Sequence, residues 1–414
     1  MTRFTVRILL WVRYGQEKIV MAHSVSVQTK GNTGKRIVYF AGGGTGGHIY
    51  PNVAIAERLR EQQGEALDMY FIVSSRPGDA DIMKRLELPH IVLPVQPLPS
   101  LRKLWRAFDF YRCWLQSIQE LRIEFRKQKP IALVTSGGFV SGPAMVVAYE
   151  LQTPRVMVNL DAVPGRANRR MLNYRPNCFS VYPTATLPNA EIIGFPLRHA
   201  SIGSNTRVEA RRRLGIDPQR STLFVTGATH GAQSVIEAMM ALVKSDVYSS
   251  LLSPWQIYHQ CGAYDVKQLQ KHYDDHGLVA KVVHYCDQIG EAWRAADLCI
   301  SRSGAGSVAE AWANATPTLF LPNPYHKDGH QRRNIEPLLS ISGADWIEDR
   351  IDAQLNVESL GPKLKALIED EDLREEMHNN LLNHVPLDGA RRVADWIAEK
   401  LNLEATNSNE LQKN

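Results

Sequence analysis

From residue 36 to about residue 400 the chain alternates short apolar runs with longer stretches whose apolar positions recur at helical spacing. The runs at 36–40, 69–73, 91–93, 132–135 and 155–158 are continuous rather than alternating. That predicts strands covered on both faces, joined by helical crossovers. The pattern restarts at Leu223-Phe224-Val225-Thr226 and continues through 296–300 and 318–321. The fold class expected is α/β, with two Rossmann-like doubly wound domains facing each other across a cleft lined by strand carboxyl ends. The small, polar stretch 200–205 sets the boundary, giving domains at 35–199 and 200–385. Residues 404–414 are mostly polar and are expected to be disordered.

A length of 414 residues is enough for two substantial cores, and 44% hydrophobic with 22% charged residues is ordinary for a globular chain. The five cysteines are odd in number and show no C-x-x-C spacing, which points away from a disulfide framework or zinc site and toward a reducing compartment. A net charge of +5 is too small to imply nucleic acid binding, though it does not oppose contact with an anionic lipid surface. No stretch is apolar enough to span a bilayer. Residues 1–34 mix Arg3, Arg7 and Arg13 with Phe4, Ile8, Leu10 and Trp11. They read as a disordered extension or an over-long start with Met21 as the true first residue, with a basic amphipathic anchor as the alternative.

The densest chemistry begins at Ala41-Gly42-Gly43-Gly44-Thr45-Gly46-Gly47-His48, between an apolar strand and a helix start. Glycines allow the backbone close to a diphosphate, and the helix N-terminus supplies free N–H groups. Gly42, Gly44 and Gly47 also satisfy G-x-G-x-x-G, but the next strand ends in Ser74-Ser75-Arg76 where a nicotinamide site needs an acid. His48 is either a general base or a histidine that caps the turn. In the second half, Ser301-Arg302-Ser303-Gly304-Ala305-Gly306-Ser307-Val308-Ala309-Glu310 is another small-residue loop opening a helix. Glu310 is placed either to bond a ribose diol or simply to favour the helix start. Beyond the strand at 318–321 lies a loop rich in polar groups, His326-Lys327-Asp328-Gly329-His330-Gln331 through Asn334. Asp79-Ala80-Asp81 spells the D-x-D of metal-dependent transferases, yet Pro77-Gly78 before it suggests a surface turn, and no metal or other cofactor is expected.

These motifs, with Gly137-Gly138-Phe139-Val140-Ser141-Gly142-Pro143 and Gly194-Phe195-Pro196-Leu197-Arg198 between them, occur in one order over residues 36–400. In that order the chain resembles the MurG-like UDP-N-acetylglucosamine transferases of peptidoglycan synthesis and related GT-B glycosyltransferases. The resemblance implies a GT-B fold, with a lipid-linked acceptor held by the first domain, UDP-N-acetylglucosamine by the second, and a helix at 386–403 returning to the first. It implies donor contacts at Thr45, Gly46, Gly47, Arg198, Thr229, Cys286, Ala305, Gly306, Ser307, Val308, Ala309, Glu310, His330, Gln331 and Asn334. Gly137, Gly138, Phe139, Ser141 and Asp161 fall on the acceptor side, with His48 as catalytic base. Thr229 stands where the family has a serine, His330 replaces the first of two sugar-contacting glutamines, and Val158-Asn159-Leu160-Asp161 replaces a more polar His-Glu-Gln-Asn stretch.

The activity implied is inverting, metal-independent transfer of N-acetylglucosamine from UDP to an acceptor such as lipid I. The alternatives are another glycolipid acceptor, an epimerase, or a UDP-sugar-binding protein of the same fold. Residues 98–129 interleave Leu101, Leu104, Trp105, Phe108, Phe110, Tyr111 and Trp114 with Arg102, Lys103, Arg106 and Arg112. The segment is either a peripheral contact with an anionic membrane or an ordinary helix packing its aromatic side inward. The first alternative, with the resemblance, implies a cytoplasmic protein on the inner face of the cell membrane.

Overall fold

The computed structural model describes residues 36–99, 105, 107–227, 231–325 and 328–411, with side chains described as far as Lys400. Every described strand pair is parallel. The first sheet comprises β1 (Arg36–Ala41), β2 (Leu67–Ser74), β3 (His90–Leu93), β4 (Ala132–Thr135), β5 (Arg155–Asn159), β6 (Asn177–Ser180) and β7 (Glu191–Ile192), in the order β3-β2-β1-β4-β5-β6-β7. The second comprises β8 (Thr222–Thr226), β9 (Gln256–Gln260), β10 (Val279–Val283), β11 (Leu298–Ser301), β12 (Thr318–Phe320) and β13 (Ala344–Trp346), in the order β10-β9-β8-β11-β12-β13. Both orders reverse direction beside their first strand, and the loops leaving β1, β4, β8 and β11 open at those two switch points, where α/β sheets take ligands.

Continuous apolar runs became strands because both faces are covered. Val38 and Phe40 point into one cluster with Val53, Leu59 and Val134, while Ile37 and Tyr39 point into another with Leu121, Phe125 and Leu133. Each such fully buried side chain contributes about 1.5–3 kcal/mol. Leu223 and Val225 face one cluster of the second sheet and Phe224 the other, against Trp293.

The two sheets are tied by segments that cross twice. The linker after β7 does not hang free. The Ser201 carbonyl accepts from Asn314 Nδ2 at 2.9 Å, Gly203 N–H donates to Asn314 Oδ1 at 2.9 Å, and Ser204 N–H and Oγ both donate to Glu291. The final helix, Gly389–Leu411, lays Ala390, Val393, Ala394 and Ile397 into the first domain's core against helix Gly46–Gln63. Its approach is fixed by Arg58, a buried guanidinium that donates to Asp388 at 2.8 Å and contacts His199 of the linker. The helix runs on to Leu411, so residues 404–411 are helical where disorder was expected; Leu403, Glu404 and Ala405 are good helix formers.

Linker and return segment meet at Gly194 and Gly389. A Cβ on Gly194 would lie 1.6 Å from the Leu387 carbonyl oxygen, and one on Gly389 would lie 1.7 Å from the Gly194 oxygen. Neither neighbour is a flexible side chain that can swing away. Gly194→Ala is therefore expected to cost at least about 2 kcal/mol, as overpacking against backbone does, in denaturant unfolding. A variant as stable as the wild type would show that the crossing is not tight.

Candidate active site in the interdomain cleft

A cleft of about 500 Å3 lies between the two switch points, lined from one side by Thr45, Gly46, Gly47, His48 and Asp161 and from the other by Gly304, Ala305, Gly306, Ser307, Glu310, His330 and Gln331. Arg198 of the linker and Cys286 complete the wall.

The first glycine loop keeps its shape through one carboxylate. Asp79, almost fully buried on helix Pro77–Arg85, accepts from Gly44 N–H at 2.7 Å, from Ser74 N–H at 3.0 Å and from Ser74 Oγ at 2.6 Å. Its oxygens are thus committed to the loop, and the Asp79-Ala80-Asp81 triplet is the start of a helix rather than a surface turn. Helix Gly46–Gln63 then begins after Thr45, so the N–H groups of Gly46 and Gly47 have no intrahelical acceptor and face the cleft. Arg76 donates to the Gly44 carbonyl at 2.9 Å and stacks over Phe139.

His48 sits at the end of that loop with Nδ1 3.0 Å from the Ser136 carbonyl oxygen. A carbonyl can only accept, so Nδ1 carries the proton and Nε2 keeps its lone pair. Gly137 and Gly138 make room for the ring. At Gly138 φ is +78°, and a Cβ there would meet the Gly43 oxygen at 2.6 Å and His48 Cδ2 at 3.1 Å. Gly138 therefore has two independent reasons to be glycine.

On the facing side, Gly304 precedes helix Ala305–Ala313, and the N–H groups of Ala305, Gly306 and Ser307 start it. Glu310 is one turn further on. Its Oε1 accepts from Ser201 Oγ and its Oε2 from Trp293 Nε1, each at 3.0 Å. Burial pushes the Glu310 carboxyl above the usual carboxylate range, opposed by the Arg198 charge and these two hydrogen bonds. Arg198 itself is buried over the Tyr50 ring, with its Nε lacking a protein partner. A buried, incompletely satisfied guanidinium at a cleft lined by two helix starts is suited to an anion. Cys286 lies inside with its thiol raised by burial, and its N–H donates to Gln260 Oε1 at 3.0 Å. His330 Nδ1 pairs with Asp328 at 2.7 Å, and Gln331 Oε1 accepts from Asn323 N–H at 2.8 Å.

Some expected contacts lie elsewhere. Ser141 is fully buried and donates to the Ala41 and Gly137 carbonyls, so it builds the second loop from inside. Val308 and Ala309 turn into cores, and Val308 N–H is taken by the Gly304 carbonyl. Gly137, Gly138 and Phe139 shape the loop beside His48 without lining the cleft. Asn334 is fully buried behind the cleft, its amide bonded to Asp161, Ala162 and Ser303 rather than directed at a donor. Thr229, His326 and Lys327 lie outside the described residues, as do the extension 1–34 and Arg102, Lys103 and Arg106. Sequence reasoning missed Ser201, which it assigned to a plain linker, and Tyr50, Tyr285, Gln260 and Trp293, whose roles depend on partners far away in the chain. Tyr50 and Tyr285 join hydroxyls across the cleft at 2.7 Å, with the Arg85 guanidinium 4.0 Å from the Tyr285 ring.

Two parallel sheets of strand order 3-2-1-4-5-6, the first extended by a seventh edge strand, sharing one cleft with a final helix crossing back, define the GT-B class of glycosyltransferase fold. Residues 38–180 match the glycosyltransferase family 28 N-terminal domain and residues 222–393 the glycosyltransferase family 28 C-terminal domain, and the chain belongs to that family. A protein of Nocardioides sp. named UDP-N-acetylglucosamine--N-acetylmuramyl-(pentapeptide) pyrophosphoryl-undecaprenol N-acetylglucosamine transferase is 30% identical over 371 residues, covering 87% of this chain and 97% of its own length. One of the same name from Halothermothrix orenii is 31% identical, over 80% and 89%. Among solved structures, MurG of Acinetobacter baumannii superposes with a TM-score of 0.65 at 22% identity, covering 88% of this chain and 99% of that one. A UDP-GlcNAc 2-epimerase of Neisseria meningitidis bound to UDP-GlcNAc shares the fold at a TM-score of 0.54 and 14% identity, over 89% and 99%.

Glu310 generates a pH prediction. Because its folded pKa is raised, the native state holds that proton more tightly than the unfolded chain, and this group's contribution to stability falls as pH rises through the raised value. Glu310→Gln removes the buried charge and still serves both neighbours, its amide oxygen accepting from Trp293 Nε1 and its amide nitrogen donating to Ser201 Oγ. It is expected to melt no lower than the wild type at pH 8, with the difference shifting in the wild type's favour as pH falls toward 4. Donor affinity should weaken by about 1–3 kcal/mol. A variant that melts well below the wild type at pH 8 would contradict the assignment.

Proposed function

We propose that this chain is an inverting, metal-independent transferase that moves N-acetylglucosamine from UDP-N-acetylglucosamine to a lipid-linked acceptor such as lipid I. The reading rests above all on His48, whose ring Nδ1 donates to the Ser136 carbonyl and so leaves Nε2 as the ring acceptor, at the wall of a cleft suited to a nucleotide diphosphate. The names of the family 28 relatives support the donor and the acceptor.

The chemistry assigned to each residue follows from its surroundings. The uracil rests against the Cys286 backbone and the ribose hydroxyls donate to Glu310, whose two existing donors hold it in place. Arg198 and the N–H groups of Gly46, Gly47, Ala305, Gly306 and Ser307 stabilise the negative charge that grows on the departing diphosphate. His48 Nε2 takes the proton of the acceptor hydroxyl as that oxygen attacks the anomeric carbon and the bond to UDP breaks. One displacement inverts the centre. His330 and Gln331 read the sugar hydroxyls, with His330 oriented by Asp328.

A peripheral membrane contact fits helix Ala107–Gln128. It buries Cys113, Ile118, Leu121 and Phe125, and leaves Phe108 75% exposed and Tyr111 60% exposed on the outer side, beside Trp105 at 75%. Phe110 and Trp114 stack on each other half-buried, with Trp114 against the core, so the aromatics divide between an inward and an outward side. Among the described residues no helix is long and apolar enough to cross a membrane. The proposal places the protein on the inner face of the cell membrane, where interfacial aromatics enter the headgroup layer.

His48→Ala is expected to abolish transfer while UDP binding, measured by titration calorimetry, changes by less than about twofold, since the imidazole moves a proton and does not hold nucleotide. Transfer at the wild-type rate would remove His48 as the base. Joint substitution of Phe108 and Tyr111 by Glu should weaken sedimentation with anionic vesicles by at least about tenfold, the loss of one modest apolar insertion. Undiminished vesicle binding would assign the membrane contact to another surface.

A further inference from the structure

Asn334 ends the short helix His330–Asn334, whose first turn carries the two side chains assigned to the donor sugar. Its amide is fully used, and most of its bonds cross between domains. Oδ1 accepts from Ala162 N–H at 2.9 Å, and Nδ2 donates to Asp161 Oδ1 at 3.1 Å and to the Ser303 carbonyl at 3.3 Å. Its own carbonyl accepts from Tyr182 Oη at 3.0 Å, so a second first-domain residue grips the same point. Asn334 is wholly buried. Three pieces of the cleft therefore converge on one side chain: the first-domain loop holding Asp161, the residue just before Gly304 of the donor loop, and the helix of His330 and Gln331.

An asparagine suits that position for a reason of valence. Its carboxamide offers one acceptor and two donor hydrogens in a plane, and here each finds a partner. Such a fully satisfied buried group is stable, but removing one side leaves the others unpaired.

Resting on the transferase reading above, we propose that Asn334 is a positioning residue that couples the acceptor-side loop to recognition of the donor sugar. With the clasp formed, the first-domain loop holds the helix so that His330 and Gln331 face the sugar. With the clasp broken, the two domains still bind the uridine diphosphate through Arg198, Glu310 and the helix starts, but the sugar contributes little. The acceptor loop thereby sets how much of the donor's binding energy comes from its sugar, and an acceptor seated against Asp161 tightens the hold on the donor.

The test compares UDP with UDP-N-acetylglucosamine by titration calorimetry on the whole chain, for the wild type, Asn334→Ala, Asp161→Ala, the double variant and Asp161→Asn. Asn334→Ala and Asp161→Ala should each weaken UDP-N-acetylglucosamine about tenfold, as loss of one or two buried hydrogen bonds does, while UDP changes by less than about twofold. The double variant should be no weaker than the worse single, because both break the same clasp. Asp161→Asn should bind like the wild type, since its carboxamide oxygen still accepts from Asn334. Equal weakening of UDP and the UDP-sugar, unchanged sugar-nucleotide affinity in Asn334→Ala, or additive effects in the double variant would each overturn the proposal. Should Asn334→Ala fail to fold, Asp161→Ala and Tyr182→Phe, which remove only the first-domain side, carry the same comparison. A wild type that does not bind UDP-N-acetylglucosamine would instead overturn the donor assignment.

Discussion

The site depends on a backbone constraint, that the chain must turn sharply after β1 and yet leave the first N–H groups of the next helix without partners. The buried Asp79 carboxylate meets it. By taking Gly44 N–H together with the Ser74 groups, it fixes the loop from the side of β2 and leaves Gly46 and Gly47 facing the cleft. It also sets where His48 emerges, and the Ser136 carbonyl then decides which ring nitrogen is basic. A carboxylate that resembled half of a metal site is in fact the brace under the first glycine loop. Burying it is tolerable because each oxygen meets hydrogen-bond donors.

The second domain solves the same problem differently. There the small residues Ala305, Gly306 and Ser307 keep the helix start open, and the charge is brought in by the linker. Arg198 and Ser201 belong to the segment between the domains, and both act at Glu310, one through its charge and the other by a hydrogen bond. The second-domain half of the cleft is therefore incomplete without the crossover, whose geometry is fixed by the contact of Gly194 with Leu387 and by Arg58 on Asp388. Packing at the hinge and chemistry at the cleft are parts of one arrangement.

Much of this was legible in the sequence wherever a local pattern carries the information. Strands buried on both faces leave continuous apolar runs, and glycine loops leave their composition, so β1, β4, β8 and β11 and the loops after them could be placed. Short or edge strands leave no such mark: Glu191–Ile192 is two exposed residues, and Val279–Val283 alternates because only part of it is covered. Roles that depend on a distant partner were equally hidden. Nothing near Ser201 says that it bonds Glu310, and nothing near Asn334 says that its amide is occupied across the cleft. Asp79 misled because its motif is defined by spacing, while its function is set by the Gly44 and Ser74 groups it meets in space.

The central claim is that a single base, His48, serves a direct displacement at the anomeric carbon. The two carboxylates lining the cleft are already engaged, Asp161 by Asn334 and Glu310 by Ser201 and Trp293, so neither is placed as a nucleophile. The anomeric configuration of the product reads this directly. Proton NMR of the disaccharide made from UDP-α-N-acetylglucosamine and a lipid I analogue should show only the β linkage, with the large diaxial coupling of an inverted centre. An α-linked product would mean that the anomeric centre is retained, and would contradict the account.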